Sequence, residues 1–593
     1  MATKHQGDYM KIYNPEFRFY LNVAAVGACL SALFSFIWEY GFYLPKETKS
    51  ILHQLDILIV IVFVSELLLK FILAENKRLF IKDNWPDFSA GILFVSAILT
   101  LKVLSTSPQF VYFLNTKGIY SLSRVYIIIS QIYILASLII RIPYLNKIIF
   151  LFRLPPPSIV ILTFISIIAV GTFLLLLPKS TVSGKETTFL DALFTATSAT
   201  CVTGLIVVDT GSHFSLSGQL IILILIQIGG LGLMTFTSFF ALALGKGFGL
   251  KDRFLLRDIL SYKNMGGIGS LILSILRITF IIEGIGALLL YIQFLPQTKG
   301  ALSCLYSAIF HSISAFCNAG FSLYSDSFMR YTNSLGINLV MSALIITGGL
   351  GFIVIVDLLH RENFRLRGKK RSLSLQSKLV LLISFLLIGI GFCLILLSEN
   401  NELLDNFSLK GKLLGAYFQS VTARTAGFNT LNIRNLGIFS SFLLIIFMFI
   451  GASAGSTGGG IKTSTFAALF FTIKSMVQGK SEVEVFKRTL PRLVVYQALS
   501  VTTLALGWIA ISVLILTLTE NAPFIDILFE SFSAFGTVGL SRGITPNLTS
   551  GGRIIITLTM LIGRVGPLTL ALAIGGRKMV KLYEYPEESI MIG

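Results

Sequence analysis

Charge is what this 593-residue chain has least of. Asp, Glu, Lys and Arg make up 13% of it, about half of the roughly 25% that soluble globular proteins carry. Acidic residues are the scarcer sign, 29 against 48 basic ones. The five histidines (His5, His53, His213, His311 and His360) never pair at i, i+4. No HExxH occurs, so the usual metal-hydrolase pattern of an enzyme is missing. Five scattered cysteines (Cys29, Cys201, Cys304, Cys317 and Cys393) show no CxxC or metal spacing, and read as free thiols packed among helices. The N-terminus lacks the short apolar core and small-residue cleavage site of a secretion signal.

What fills the space is apolar. Hydrophobic residues reach 54% and the mean hydropathy is +0.82. Runs of about 20 apolar residues, each long enough to cross a bilayer, recur near 19–43, 52–74, 88–105, 122–145, 157–178, 214–245, 270–296, 335–358, 376–398, 437–475, 491–519 and 551–583. Pieces near 189–200, 301–316, 411–423 and 524–535 are too short to cross. The expectation is an all-α polytopic membrane protein of twelve spans. Basic residues cluster in the connections 77–82, 246–263, 361–378 and 474–492 and in the tail, whereas 399–405 reads "ENNELLD". Lys and Arg accumulate on the cytoplasmic side, which puts both termini inside. Nucleic acid is not expected as a partner of these linkers.

A fourfold repeat underlies the second part of the chain. "TSATCVTGL", "ISAFCNAGF", "VTARTAGF" and "FSAFGTVGL" end on Gly204, Gly320, Gly427 and Gly539 plus Phe or Leu. The glycines recur 116, 107 and 112 residues apart, and the third copy is one residue shorter ahead of its glycine. Each follows a short apolar piece between full spans. Irregular backbone within a bilayer needs protein or water around it, and four such loops on one axis meet that need. Glycine reaches positive φ cheaply, so carbonyls can turn inward and replace the hydration shell of a cation. The half-helices would also aim their negative ends at that axis. The backbone oxygens expected to do this belong to Val202, Thr203, Gly204, Asn318, Ala319, Gly320, Thr425, Ala426, Gly427, Thr537, Val538 and Gly539.

With "GGLG" at 229–232 and 348–351, "TARTAGFNT" at 422–430 and "GRVGPLTLALA" at 563–573, residues 155–583 resemble the pore-forming subunits of the Trk/Ktr/HKT potassium transporters. That resemblance implies potassium as the transported ion, a single-chain pseudo-tetrameric pore, a homodimer in the bacterial inner membrane, and a cytosolic nucleotide-binding regulatory ring of the KtrA/TrkA type. Glycine in all four loops goes in that family with potassium preference, and serine in the first with sodium.

The stretch "GASAGSTGGGIKTSTF" from Gly451 is not a phosphate cradle, because Ile461 separates Gly460 from Lys462 and breaks G-K-[ST]. Five glycines among 451–460, each costing about 1 kcal/mol relative to alanine in a helix, must break the span. By resemblance this is an intramembrane gate, with Gly451, Gly455, Gly458, Gly459, Gly460 and Lys462 as its parts. The lysine would repel cations in a closed state. Arg564, mid-span, is expensive there and needs a role. Either it projects into the pore, or it partners a buried carbonyl or Glu530. Asp209 and Asp326, just beyond two of the loops, would concentrate cations or simply be solvated.

The chain divides into 1–152, a four-helix N-terminal region ending at "RLPPPS", then repeats at 153–262, 263–370, 371–482 (with the gate at 451–463) and 483–593 with the tail. The N-terminal region is similar to a voltage sensor in Phe63-x-x-Glu66 and Lys70. Its fourth segment holds only Arg124 and Arg141 with Gln131 between, so a voltage-gated cation channel is the alternative and a docking domain the plainer one.

Overall fold

The computed structural model describes residues 15–72, 77–78, 81, 85–104, 133, 156–243, 268–296, 300–366, 373–405, 407–567 and 569–571. It is all-α apart from a hairpin of two-residue strands, Glu484–Val485 and Arg488–Thr489. The N-terminal helices are α1 (Pro15–Gly41), α2 (Lys46–Ile72) and α3 (Trp85–Leu104). Most of the expected fourth segment lies outside the described residues, as do linker 246–263 and residues 572–593 of the tail. Phe63 is fully buried with Ala32, Ile59 and Tyr133, and Lys70 donates to Glu66 one turn away on the same helix (2.5 Å).

The four repeats follow one plan. In the first, α4 (Pro156–Leu175) is a span, α5 (Phe189–Thr200) a half-helix and α6 (Leu216–Ala243) a second helix kinked at Gly232. The second has α7 (Ile268–Phe294), α8 (Ala301–Phe316) and a second helix split into α9 (Leu335–Leu350) and α10 (Phe352–Leu366). The third has α11 (Leu375–Glu399), α12 (Leu409–Thr422), and α13 (Ile438–Phe449) separated from α14 (Thr463–Val477) by the glycine-rich loop. The fourth has α15 (Arg492–Thr519), α16 (Phe524–Gly536) and α17 (Ser550–Val565). Among the described residues, Ser158–Leu175, Ser274–Phe294, α11 and α15 are long and apolar enough to cross a membrane, and α9 with α10 form a pair bent by 99°.

Local chemistry sets the ends. Thr188 and Ser408 cap α5 and α12 by accepting from the amides of Asp191 and Gly411, both at 3.2 Å, each worth about 1 kcal/mol. All four second helices break at one level: Gly232 leaves helical geometry (φ 10°), Gly351 and Gly566 cap α9 and α17 at φ 89° and 92°, and α13 stops at Phe449. In the first, second and fourth repeats the pattern is Gly-x-x-Gly. A Cβ on Gly229, Gly348 or Gly563 would overlap the carbonyl of Thr200, Phe316 or Phe535 at the end of its own half-helix. Close backbone approach, which small residues permit, drives helix association where lipid removes most of the hydrophobic gain.

Side chains join the repeats into a closed circle. Tyr306 donates to Gln219 (3.0 Å) between the first and second, and Thr332 to the Thr430 carbonyl (2.6 Å) between the second and third. Arg542 pairs with Asp526 (2.6 Å) and reaches Leu436 O (3.1 Å) between the fourth and third, and Arg553 pairs with Asp191 between the fourth and first. The N-terminal region is tied to this circle by Lys179 donating to the Glu39 carbonyl at the end of α1 (2.6 Å).

Candidate functional site: a ring of four glycine loops

Each half-helix runs at its C-terminus into a loop with the same backbone signature. Two residues before the glycine the chain enters the left-handed region, at Val202, Asn318, Thr425 and Thr537 (φ 57°, 60°, 68° and 48°). The glycine follows at φ 90°, 70°, 79° and 90° for Gly204, Gly320, Gly427 and Gly539. A β-branched residue in that region is strained, so the surroundings must impose the turn. They do so with a hydroxyl on each half-helix. Ser198 and Ser533 accept from the amides of Gly204 (3.1 Å) and Gly539 (3.2 Å). Ser314 and Thr422 donate instead to the carbonyls of Phe321 (2.8 Å) and Phe428 (2.6 Å).

The four glycines form a closed ring. A Cβ built on Gly204 would lie 2.9 Å from Gly320 Cα, one on Gly320 3.0 Å from Gly427 Cα, one on Gly427 3.2 Å from Gly539 Cα, and one on Gly539 3.0 Å from Gly204 Cα. The atoms nearest those four positions are the carbonyl oxygens of Ala319, Ala426, Val538 and Thr203. The structure therefore brings together all twelve residues expected from the sequence, and every one except the four glycines is also among the fully buried side chains.

Directly against one face of this ring lies the 451–463 loop. A Cβ on Gly458 would overlap Thr425 Oγ1, and one on Gly459 would overlap Thr537 Oγ1. Both hydroxyls are buried without a hydrogen-bond partner, so these two threonines offer side-chain oxygens beside the carbonyls. The loop is stapled to the second repeat: Ser453 N donates to Gly349 O (3.0 Å), Phe352 N to Gly455 O (2.9 Å) and Thr457 Oγ1 to Phe316 O (3.2 Å). Gly455 and Gly460 sit at φ 79° and 67°.

Arg564 donates through one nitrogen to Thr457 O of this loop and through the other to Gly229 O of α6. Of the roles open to it in the sequence, the buried-carbonyl partner is the one observed. Glu530 instead accepts from Ser541 (2.8 Å) and from Thr545. Arg564 stands where the first and second repeats have Gly230 and Gly349, the second residue of Gly-x-x-Gly. Lys462 folds back onto its own loop, donating to Gly458 O (2.6 Å).

Just beyond the first loop, Asp209 caps the short helix Thr210–His213 by accepting from Ser212 N (2.7 Å). Asp326 is paired with Arg330 at 2.6 Å, and that guanidinium holds its carboxyl below the usual range. Neither is simply a free acid at the mouth. His311 is packed, bonded to Ser307 O (2.8 Å) and Ser322 Oγ (3.1 Å) and stacked on Tyr324. The hydroxyls of Ser198, Ser314, Thr422 and Ser533 were visible in the sequence as the "SA" or "TA" that opens each repeat, but their function needed the fold.

Proteins similar to this chain in sequence or fold are named as ion transporters. The Ktr system potassium uptake protein B of Bacillus subtilis is 41% identical over 450 residues, covering 76% of this chain and 99% of that protein. The potassium/sodium uptake protein NtpJ of Enterococcus hirae is 39% identical over 448 residues, covering 74% and 98%. The crystal structure of the potassium transporter TrkH from Vibrio parahaemolyticus matches with a TM-score of 0.57 at 18% identity over 93% of this chain and 98% of that one, a likeness of fold. A family model described as TrkH, cation transport protein, matches residues 155–578. With the ring of four glycine loops, these matches place the chain in the TrkH family of cation transport proteins.

Proposed function

We propose that this chain is the pore-forming subunit of a potassium uptake system in the plasma membrane. The ion passes through the ring of Gly204, Gly320, Gly427 and Gly539, and the backbone oxygens of the twelve loop residues take the place of its water. The single observation that carries this is the closure of the ring, with a neighbour's carbonyl beside each glycine. The name of the Bacillus relative, a potassium uptake protein, supports the choice of ion, and that of the Enterococcus relative adds sodium.

The 451–463 loop is the gate. Its contact with Thr425 and Thr537 and its tether to Arg564 support that role. When the loop lies as described it blocks the inner side of the ring, and release of Thr457 from Arg564 is the step that opens it. The word "system" in a relative's name supports a cytosolic partner. By family resemblance that partner is a nucleotide-binding regulatory ring, and the pore subunit a homodimer. The boundaries at 153, 263, 371 and 483 divide the four repeats, each with one half-helix, one ring glycine and one broken second helix.

The test is growth of a potassium-uptake-deficient strain on limiting potassium, followed by tracer potassium flux into liposomes with competing sodium. The full chain should support uptake, and Gly204→Ser should shift preference toward sodium by about tenfold, because its Cβ displaces the Ala319 carbonyl. Unchanged preference in Gly204→Ser would reject the ring as the selective element.

A further inference from the structure

Between the first and second repeats, behind the second loop, lies a buried carboxylate that the transport path does not use. Glu283 in α7 is 5% exposed. Its Oε2 accepts from Gln227 Nε2 of α6 (3.2 Å) and its Oε1 from the Cys317 thiol (3.9 Å). The same thiol also lies 3.6 Å from Gln227 Oε1, and Ser312 Oγ donates to the Glu283 carbonyl (2.7 Å). Cys317 immediately precedes Asn318, the left-handed residue of the loop. Three elements from two repeats thus converge on the peptide that enters the ring.

The other repeats show that the position does not demand a carboxylate. Gly171, Gly286 and Gly391 are equivalent. A Cβ on each would press on the half-helix residue at Ala196, Ser312 or Ser420, and on the second-helix residue at Leu225, Leu344 or Phe447. Three residues earlier stand Ile168, Glu283 and Ile388. In the first repeat, Ile168 packs in one apolar cluster with Cys201, the counterpart of Cys317. A carboxylate inside a membrane protein is costly and marks function. Here an isoleucine would fit the same site, so its cost is offset by what its oxygens hold.

What needs holding is the second loop. It alone carries an amide at the left-handed position. With its nitrogen turned toward the second helix, Asn318 donates to Ala315 O (3.0 Å) and Ile345 O (3.1 Å). The backbone torsions of Asn318 (φ 60°), which depend on where Cys317 is held, set where the Asn318 carbonyl points and how the chain runs on to Ala319.

We infer that Glu283, with Gln227, is a positioning residue for ion selectivity: it pins the Cys317 thiol and so fixes the carbonyls of the second loop at the spacing that favours the larger cation. Loosening one loop of four lets its oxygens close on a smaller ion, which lowers discrimination without emptying the pore. This inference rests on the ring being the ion path.

The full chain in liposomes is measured for potassium uptake and for sodium competition, with Gly204→Ser beside it as the control for the ring. Glu283→Ile, the residue of the first and third repeats, should lower potassium-over-sodium preference about tenfold with the maximal rate held within about twofold. Glu283→Gln, which keeps an acceptor and the shape, should retain native preference. Cys317→Ala cuts the link without touching α7 and should reproduce the Glu283→Ile shift. It decides alone if Glu283→Ile cannot be recovered folded. Native preference in Glu283→Ile and Cys317→Ala, while Gly204→Ser loses it, overturns the inference and leaves the ring standing. Equal loss in Glu283→Gln and Glu283→Ile also overturns it, since charge would then act and not position. Native preference in all variants, Gly204→Ser included, rejects the ring itself.

Discussion

Removing the Arg564 guanidinium should open the pore. Its two donors hold Thr457 O in the loop and Gly229 O in α6, so it bridges the gate to the first repeat. A hydrogen bond from a charged group is worth about 1.5–3 kcal/mol net. Of its two bonds, the one to Thr457 is the one made to the loop, whereas the one to Gly229 is made to α6. The closed state thus loses about 2 kcal/mol, a factor of about 30 in the closed-to-open ratio. Arg564→Gly is the variant of choice, since glycine stands at the equivalent positions 230 and 349. A chain that is closed nearly all the time should then pass tracer potassium about 30-fold faster, and less if opening is already frequent. The assay is flux into liposomes of equal protein content, without any regulatory partner. Arg564→Lys, a single point charge without the fork, should fall between. Flux in Arg564→Gly equal to or below the native rate refutes the latch.

Three further outcomes follow from other contacts. Gly458→Ala places a methyl on Thr425 Oγ1 and should displace the loop, giving passive potassium leak; deleting Gly455–Gly460 should add insensitivity to any regulatory partner, and a deletion that keeps full regulation contradicts the gate. Ser533→Ala strips the Gly539 amide of its acceptor, an orphaned group costing about 1–3 kcal/mol, so the melting temperature in detergent should fall and Ser533→Thr should restore it. Asp326 has its titration depressed by Arg330, so the stability of that pair is present above the ordinary carboxylate range and is lost only as external pH falls through the depressed value. Uptake by Asp326→Asn should therefore stay within about twofold of native from neutral pH to about pH 5, and a larger change would mean that the free charge serves the mouth.

The parts that could be read in advance are those with a one-residue marker. Glycine reaches positive φ at the least cost and here leaves room for a neighbour's carbonyl, so Gly204, Gly320, Gly427 and Gly539 announce themselves four times. The four spans tested by length and the four short half-helices match expectation to within a few residues, since bilayer thickness sets one length and the need to end on an axis sets the other. The left-handed residues two positions earlier carry no marker. Val202, Asn318, Thr425 and Thr537 include none of the glycines that usually mark that region, because their turn is imposed by neighbours. Lys462 shows the same limit: its charge is visible in the sequence, but its bond to Gly458 O of its own loop is not.

Alone, the sequence determined that the chain is an all-α membrane protein built on a fourfold repeat, with a glycine at the same point of each and a span broken by 451–460. Those follow from composition and local backbone preference, which act over a few residues. Only the tertiary structure decided that the ring closes from Gly539 back to Gly204, that Arg564 grips Thr457 and Gly229 and not Glu530, and that Glu283 stands behind Cys317. Those contacts join residues that lie tens to hundreds of positions apart. Their partners are mostly backbone carbonyls, which every residue has and no sequence pattern distinguishes.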